Sequence, residues 1–168
     1  MKTTLTMRND SATKRLIRRD ALERLANRIC EGEKIDGVVE ISLLLCDDYF
    51  MSQLNFQYRN VAGSTDVLSF EQENPADTKN TVLGDIVISI ETALRQSGGE
   101  RPRARREVEL LFCHGMLHLL GFDHSTPHEQ KSMRQRQAHY LGIPERMAWP
   151  ADPKRKQNRL AHSSVLGR

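Results

Sequence analysis

With 168 residues, the chain has room for one domain with a real core and too little for two. No stretch nears the roughly 20 apolar residues of a membrane helix, and the N-terminal MKTTLTMRNDSATKRLIRRD lacks the apolar core of a secretory signal. The net charge of +3 is uneven: the residues after Pro150 carry +4, which leaves −1 for residues 1–150. Residues 1–150 are therefore read as one domain, and 151–168 as a basic, flexible tail whose functional alternative is a weak, salt-sensitive contact with nucleic acid.

In chain order, Leu16, Ile17, Ala21, Leu25 and Ile29 fall at helical spacing and predict a helix over 12–31, with Ser11 as cap and Gly32 as stop. VVEISLLLC, 38–46, is β-branched and apolar and predicts a strand. Asp47 or Asp48 can cap a helix through YFMSQLNFQYRN, which ends at Arg59-Asn60. A loop containing Gly63 leads to a strand at TDVLSF, 65–70. Residues 71–80 are polar and contain a proline, so a loop is expected. TVLGDIVIS, 81–89, predicts another strand, with Gly84 and Asp85 out of character in its middle.

A short helix at 90–96 should stop at Gly98-Gly99. The next starts near Pro102 or Arg103 and reaches Leu120, with Gly121 placed for a left-handed C′ residue. Thr126-Pro127-His128-Glu129 has the spacing of a capping box with proline at N1 and opens a last helix over 127–141. The order α, β, α, β, β, α, α, α predicts an α+β fold: a single domain with a sheet covered by helices.

CHGMLHLLGFDH, residues 113–124, holds three of the six histidines. His114 and His118, four apart on a helix, share a face one turn apart. Gly121 then breaks the helix, and His124 follows on a segment able to fold back. Three neutral imidazoles suit one zinc ion and leave a position open. His128 competes as third ligand but sits where a solvent-facing residue is ordinary. His139 and His162 lack partners at ligand spacing. Cys30, Cys46 and Cys113 form neither a disulfide framework nor a CxxC pair, so they are expected to be small buried residues in a reducing cytoplasm. Gly115 stands where HExxH peptidases carry the glutamate that activates water, which argues against a peptidase. An ion bearing its full charge suits an anionic substrate such as a phosphodiester.

The segment from His114-Gly115 through Leu117-His118-Leu119 to Gly121-Phe122-Asp123-His124 resembles the signature of the YbeY family, bacterial metal-dependent endoribonucleases of ribosomal RNA maturation. Leu54-Asn55, Tyr58-Arg59 and Thr65-Asp66-Val67-Leu68-Ser69-Phe70 resemble a second element of that family, and Gly84-Asp85-Ile86 a third. The match runs in order across about 40–140. It implies an α+β fold with a small mixed sheet and a zinc-bearing helix, and one zinc ion on His114, His118 and His124. It also implies a functional arginine at Arg59, suited to binding phosphate bidentately and steadying charge on its oxygens.

The implied activity is cleavage of single-stranded RNA, in maturation of the 3′ end of small-subunit ribosomal RNA and in ribosome quality control. The implied partners are that RNA and the small subunit or its associated proteins; neither a membrane nor DNA is expected. Asp85 is a candidate acceptor for a histidine N–H or could hold a loop, Asp66 could cap or orient Arg59, and Asp123 could satisfy the turn. Phe122 stands where the family often has tyrosine, and Ser64 and Glu71 where prolines are common. Two other readings stay open: a non-catalytic RNA-binding factor with structural zinc, and a different zinc hydrolase.

Overall fold

The structure, a computed structural model, describes residues 2–73 and 80–149 in full and the backbone alone of 159–161. Its first element was not foreseen: Lys2–Asn9 is a strand, β1, whose side chains alternate outward and inward, with Thr3 and Leu5 buried. The period of two is there in KTTLTMRN, but only Leu5 and Met7 carry it as apolar residues. Helix α1 spans Arg19–Gly32, seven residues later than the apolar spacing placed its start. Leu16 and Ile17 are buried as expected, but on the connection from β1. Ser11 is no helix cap; its hydroxyl donates to Asn9 Oδ1 at 2.6 Å and so folds that connection.

The strand β2, Val38–Cys46, has the predicted bounds. Helix α2, Asp48–Arg59, follows, with Asp47 at the N-cap position and Asn60 in the left-handed conformation at its end. Asp47 does not cap it by side chain; Asp47 Oδ2 accepts from Ala12 N at 2.7 Å. Strands β3, Val67–Glu71, and β4, Asn80–Ser89, come next. Of the loop expected between them, residues 74–79 lie outside the described residues.

Helices α3, Ile90–Gln96, α4, Arg101–Leu119, and α5, Pro127–Leu141, lie close to their predicted places. A 3-10 turn, Glu145–Met147, precedes Trp149. Of the tail, only the backbone of β5, Arg159–Ala161, is described; its expected flexibility otherwise falls outside the described residues. His162 lies outside them too.

The sheet order is β1-β2-β4-β3-β5. The pairs β1–β2, β2–β4 and β3–β5 are parallel and β3–β4 is antiparallel, so the sheet is mixed. Alternation along the strands sorts the core. Val39, Ile41, Leu43, Leu45, Ile86 and Ile88 face α1 and α4, meeting Leu22, Leu25, Ile29, Leu111, Phe112 and Met116. Leu44, Cys46, Leu68, Phe70 and Val87 face the other way, onto Met51 and Leu54 of α2. The fold is α+β, with helices on both faces of the sheet.

Gly84 has a reason for its place in β4. Its φ is +147°, and a Cβ there would collide with the Phe70 carbonyl. At this point the register of β2 on β4 also slips, between Glu40 and Ile41.

One polar hub was invisible to local pattern. Asp48 Oδ1 accepts from the hydroxyls of Ser64 at 2.9 Å, Ser89 at 2.6 Å and Thr92 at 2.6 Å. Its Oδ2 pairs with Arg95 at 2.9 Å. Burial works to raise this carboxyl, but the bonds from Ser89, Thr92, Arg95 and Ser64 outweigh it and hold it down at about 2. The hub ties the start of α2 to the end of β4 and to α3.

Candidate metal centre

Helix α4 lies on the sheet unusually closely at one point, and Gly115 allows it. A Cβ there would stand 3.0 Å from both Ile86 Cγ2 and Ser69 Oγ. The position that a peptidase gives to glutamate is thus filled by the sheet itself. With that face of α4 pressed down, every residue from Leu110 to Leu119 is buried, His114 and His118 with complete loss of exposure.

The helix ends in a Schellman turn. Gly121 takes φ +96°, its N–H donates to His118 O at 2.9 Å, and the Phe122 N–H reaches back to Leu117 O at 3.0 Å. The turn does two things for the site. It points the Phe122 carbonyl at His118 Nδ1, 2.9 Å away, and it sends the chain back so that His124 meets the other two rings. Asp123 fixes the arrival: Oδ1 accepts from His124 N at 2.7 Å and Oδ2 from the Ser125 hydroxyl at 3.1 Å. Burial works to raise the Asp123 carboxyl, but the bonds from His124 N–H and Ser125 outweigh it and hold it below the ordinary carboxylate value.

Phe122 is itself held, with the Arg136 guanidinium 4.2 Å from its ring centre. Arg136 in turn pairs with Glu33 at 2.6 Å, and Glu33 accepts from the Tyr140 hydroxyl at 2.6 Å. The departure from tyrosine at this position therefore leaves an aromatic face that is in use.

The three rings converge. Their centroids lie 4.6, 5.2 and 5.0 Å apart, and one ligating nitrogen of each falls within 4.8 Å of the others. Proton bookkeeping shows what such a cluster suits. Gln137 Nε2 bonds the Ala148 carbonyl, which only accepts, so Gln137 turns its Oε1 to His114 Nδ1 at 2.8 Å. His114 Nδ1 therefore carries the proton, and so does His118 Nδ1 against its carbonyl. In the neutral rings both Nε2 atoms then hold lone pairs, and they face each other at 3.0 Å. Two acceptors at that distance repel unless a cation lies between them. The donor set, three buried imidazoles with two N–H groups tied to fixed acceptors, can hold a metal ion and fits zinc by chemistry.

His114, His118 and His124 are thus brought together as the spacing suggested. His128 and His139 are exposed and outside the cluster. Cys30, Cys46 and Cys113 are buried free thiols. Burial pushes Cys46 up to about 12 and raises Cys113 as well; neither has the character of a metal-binding thiolate. Asp85 is fully buried on β4, one residue from Ile86 and hence on the opposite sheet face; the acceptors for the His114 and His118 N–H groups are Gln137 and Phe122 O instead. Asp66 caps its own neighbour, accepting from Val67 N at 2.8 Å.

Arg59 is the last residue of α2. Its Nη1 donates to Asn55 Oδ1 at 3.1 Å, and Asn55 is anchored on Gly63 O at 2.8 Å. Gln137 and Trp149 were not foreseen. Trp149 meets His114 at 5.6 Å and His124 at 5.3 Å, nearly perpendicular to both. Gln137 had no local signal beyond being an amide on a helix read from the capping box at its start.

Known proteins agree with this architecture. The family model described as Endoribonuclease YbeY matches residues 6–143. A protein of Pelotomaculum thermopropionicum called Endoribonuclease YbeY is 39% identical over 125 residues, 72% of this chain and 82% of that protein. Its namesake in Clostridioides difficile is 37% identical over 140 residues, 79% of this chain and 92% of the other. The solution structure of TM1509 from Thermotoga maritima matches with a TM-score of 0.52 over 91% of this chain and 100% of that one, at 23% identity. That last likeness speaks for the fold alone.

Proposed function

The chain belongs to the YbeY endoribonuclease family, and on that premise we propose that it is a zinc-dependent endoribonuclease specific for single-stranded RNA. Its proposed place is in maturation of the 3′ end of small-subunit ribosomal RNA and in ribosome quality control, within the cytoplasm. Among the described residues no helix is long and apolar enough to cross a membrane.

The observation that carries the reading is the pair of Nε2 lone pairs held face to face at 3.0 Å, with both Nδ1 protons committed elsewhere. His114, His118 and His124 would hold the zinc, which when bound supplies a Lewis acid for a phosphodiester oxygen. Gln137 and the Phe122 carbonyl fix the tautomer and tilt of two of the three rings. Trp149 packs nearly perpendicular against the rings of His114 and His124. Arg59, oriented by Asn55, is the proposed contact to phosphate; its planar fork can bind two oxygens and steady the charge that grows on them. Gly115 offers no base, so the proton from the attacking group goes to another residue or to the RNA.

The test is cleavage of a single-stranded oligoribonucleotide by zinc-replete protein, beside its duplex form and an EDTA-treated sample. Cleavage of the single strand alone, lost with Arg59→Ala while zinc content and melting temperature hold, is the expected result. Zinc-replete protein that leaves the single strand intact sinks the proposal. In cells, precursors of small-subunit ribosomal RNA with unprocessed 3′ ends should accumulate when the protein is removed.

A further inference from the structure

Trp149, the chain's one tryptophan, stands past residue 143, where the family match ends. It is nonetheless built into the site. Gln137, which orients His114, also bonds the carbonyl of Ala148 and so places the indole beside His114 and His124. On the indole rests Arg134, its Cζ 5.5 Å from the ring centre.

Arg134 differs from its neighbour Arg136. Arg136 is spent on Glu33 at 2.6 Å. Arg134 has no carboxylate partner among the described residues, and its Nε, like that of Arg136, is buried without a hydrogen-bond partner. Withdrawing a guanidinium nitrogen from water without an acceptor costs free energy, and the ring beneath offsets that only in part. What remains is a half-buried, uncompensated positive charge, held one indole away from the histidine cluster. An anion that spans both places would satisfy both, and a polynucleotide carries its phosphates in series.

We propose that Arg134, seated on Trp149, binds the phosphate that flanks the scissile one, and so contributes to substrate affinity next to the metal site. The proposal rests on the reading of the protein as an RNA-cleaving enzyme and adds a residue to it. Arg134 is a substrate-binding residue in this scheme, and Trp149 positions it.

The probe is a short fluorescein-labelled oligoribonucleotide with 2′-O-methyl sugars, checked for intactness after each measurement. Binding to zinc-replete protein is followed by anisotropy over a series of salt concentrations. Arg134→Gln should raise Kd about tenfold, the loss of a charge-assisted phosphate contact. It should also flatten the slope of log K against log salt by about 0.7, the share of one phosphate on a single strand. Zinc content should not change.

Arg134→Lys should keep the slope. Trp149→Leu should match Arg134→Gln, and the double variant should be no worse than either alone. Trp149→Phe, which keeps a ring, should fall between. A wild-type Kd and salt slope in Arg134→Gln, while wild-type protein binds the probe and cleaves the all-ribose oligonucleotide, overturns this proposal and leaves the enzyme reading standing. Wild-type protein that neither binds nor cleaves overturns both.

Discussion

Replacing Gln137 by leucine tests whether the site is held in readiness by the residue that the sequence did not flag. Gln137 is fully buried and does two jobs: Oε1 accepts from His114 Nδ1 at 2.8 Å, and Nε2 donates to the Ala148 carbonyl. Leucine fills a similar volume but offers neither group. His114 and Ala148 are themselves without exposure, so an N–H and a C=O are left in the interior unpaired. Each costs about 1–3 kcal/mol, so the metal-free protein should lose about 2–6 kcal/mol. His114 would also be free to swap tautomers, and zinc affinity should fall about 10- to 100-fold, the usual cost of removing such a support.

Glutamate at the same position separates the two losses. Gln137→Glu keeps an acceptor on His114 Nδ1 but sets a carboxylate against the Ala148 carbonyl. Its metal-free stability should fall as for leucine, while its zinc affinity stays at the wild-type level or rises. The assays are urea unfolding after EDTA treatment, and zinc competition against a chromophoric chelator. A zinc Kd for Gln137→Leu within twofold of wild type would refute the argument.

Two further outcomes follow from the packing. Gly115→Ala gains about 1 kcal/mol of helix propensity but pushes a methyl to 3.0 Å from Ile86 and Ser69, an overpacking cost of about 1–3 kcal/mol; thermal melts should show equal or lower stability, and a clear gain would mean that α4 is not pinned to the sheet. Asp48 has a folded pKa of about 2 against an ordinary 3.8, so its stabilisation is complete above 3.8 and drains as pH falls toward about 2. Allowing for its partial exposure, the contribution is about 1 kcal/mol. Asp48→Asn should therefore be less stable at neutral pH and lose less between those two values; parallel acid-unfolding curves for the two proteins would contradict this.

Much of the site was legible because its ligands lie on one helix and its turn. The spacing of His114 and His118 needs only helical geometry, and the Gly121 stop needs only a left-handed residue. Strand β2 was legible because seven of its nine residues are apolar, four of them unbroken from Leu43 to Cys46, which leaves little choice. The strand β1 was not, because an edge strand with one buried face needs few apolar residues, and Leu5 and Met7 were too sparse a signal. The start of α1 was misplaced because Leu16 and Ile17 are buried without being helical: apolar spacing reports burial first and helicity second. Gln137, Trp149 and the Asp48 hub depend on partners far along the chain, which no local pattern contains. Of the two roles open to Asp85, serving a histidine is the one the pleat disfavours, since it turns Asp85 to the other side of the sheet.

His114, His118 and His124 all lie within eleven consecutive residues. Closing so short a loop costs little chain entropy, so an unfolded chain can already gather these imidazoles around an ion. Zinc would then bind both the folded and the unfolded forms, and the stabilisation gained on loading is set by the ratio of the two affinities, not by the folded affinity alone. The fold's own share of that ratio comes from the groups that only tertiary structure delivers: the Gln137 amide, the Trp149 wall and the sheet beneath Gly115. Removing zinc should therefore lower the melting temperature by less than the tightness of binding suggests. Gln137→Leu should shrink that increment, since it lowers the affinity of the folded form and leaves that of the unfolded chain untouched.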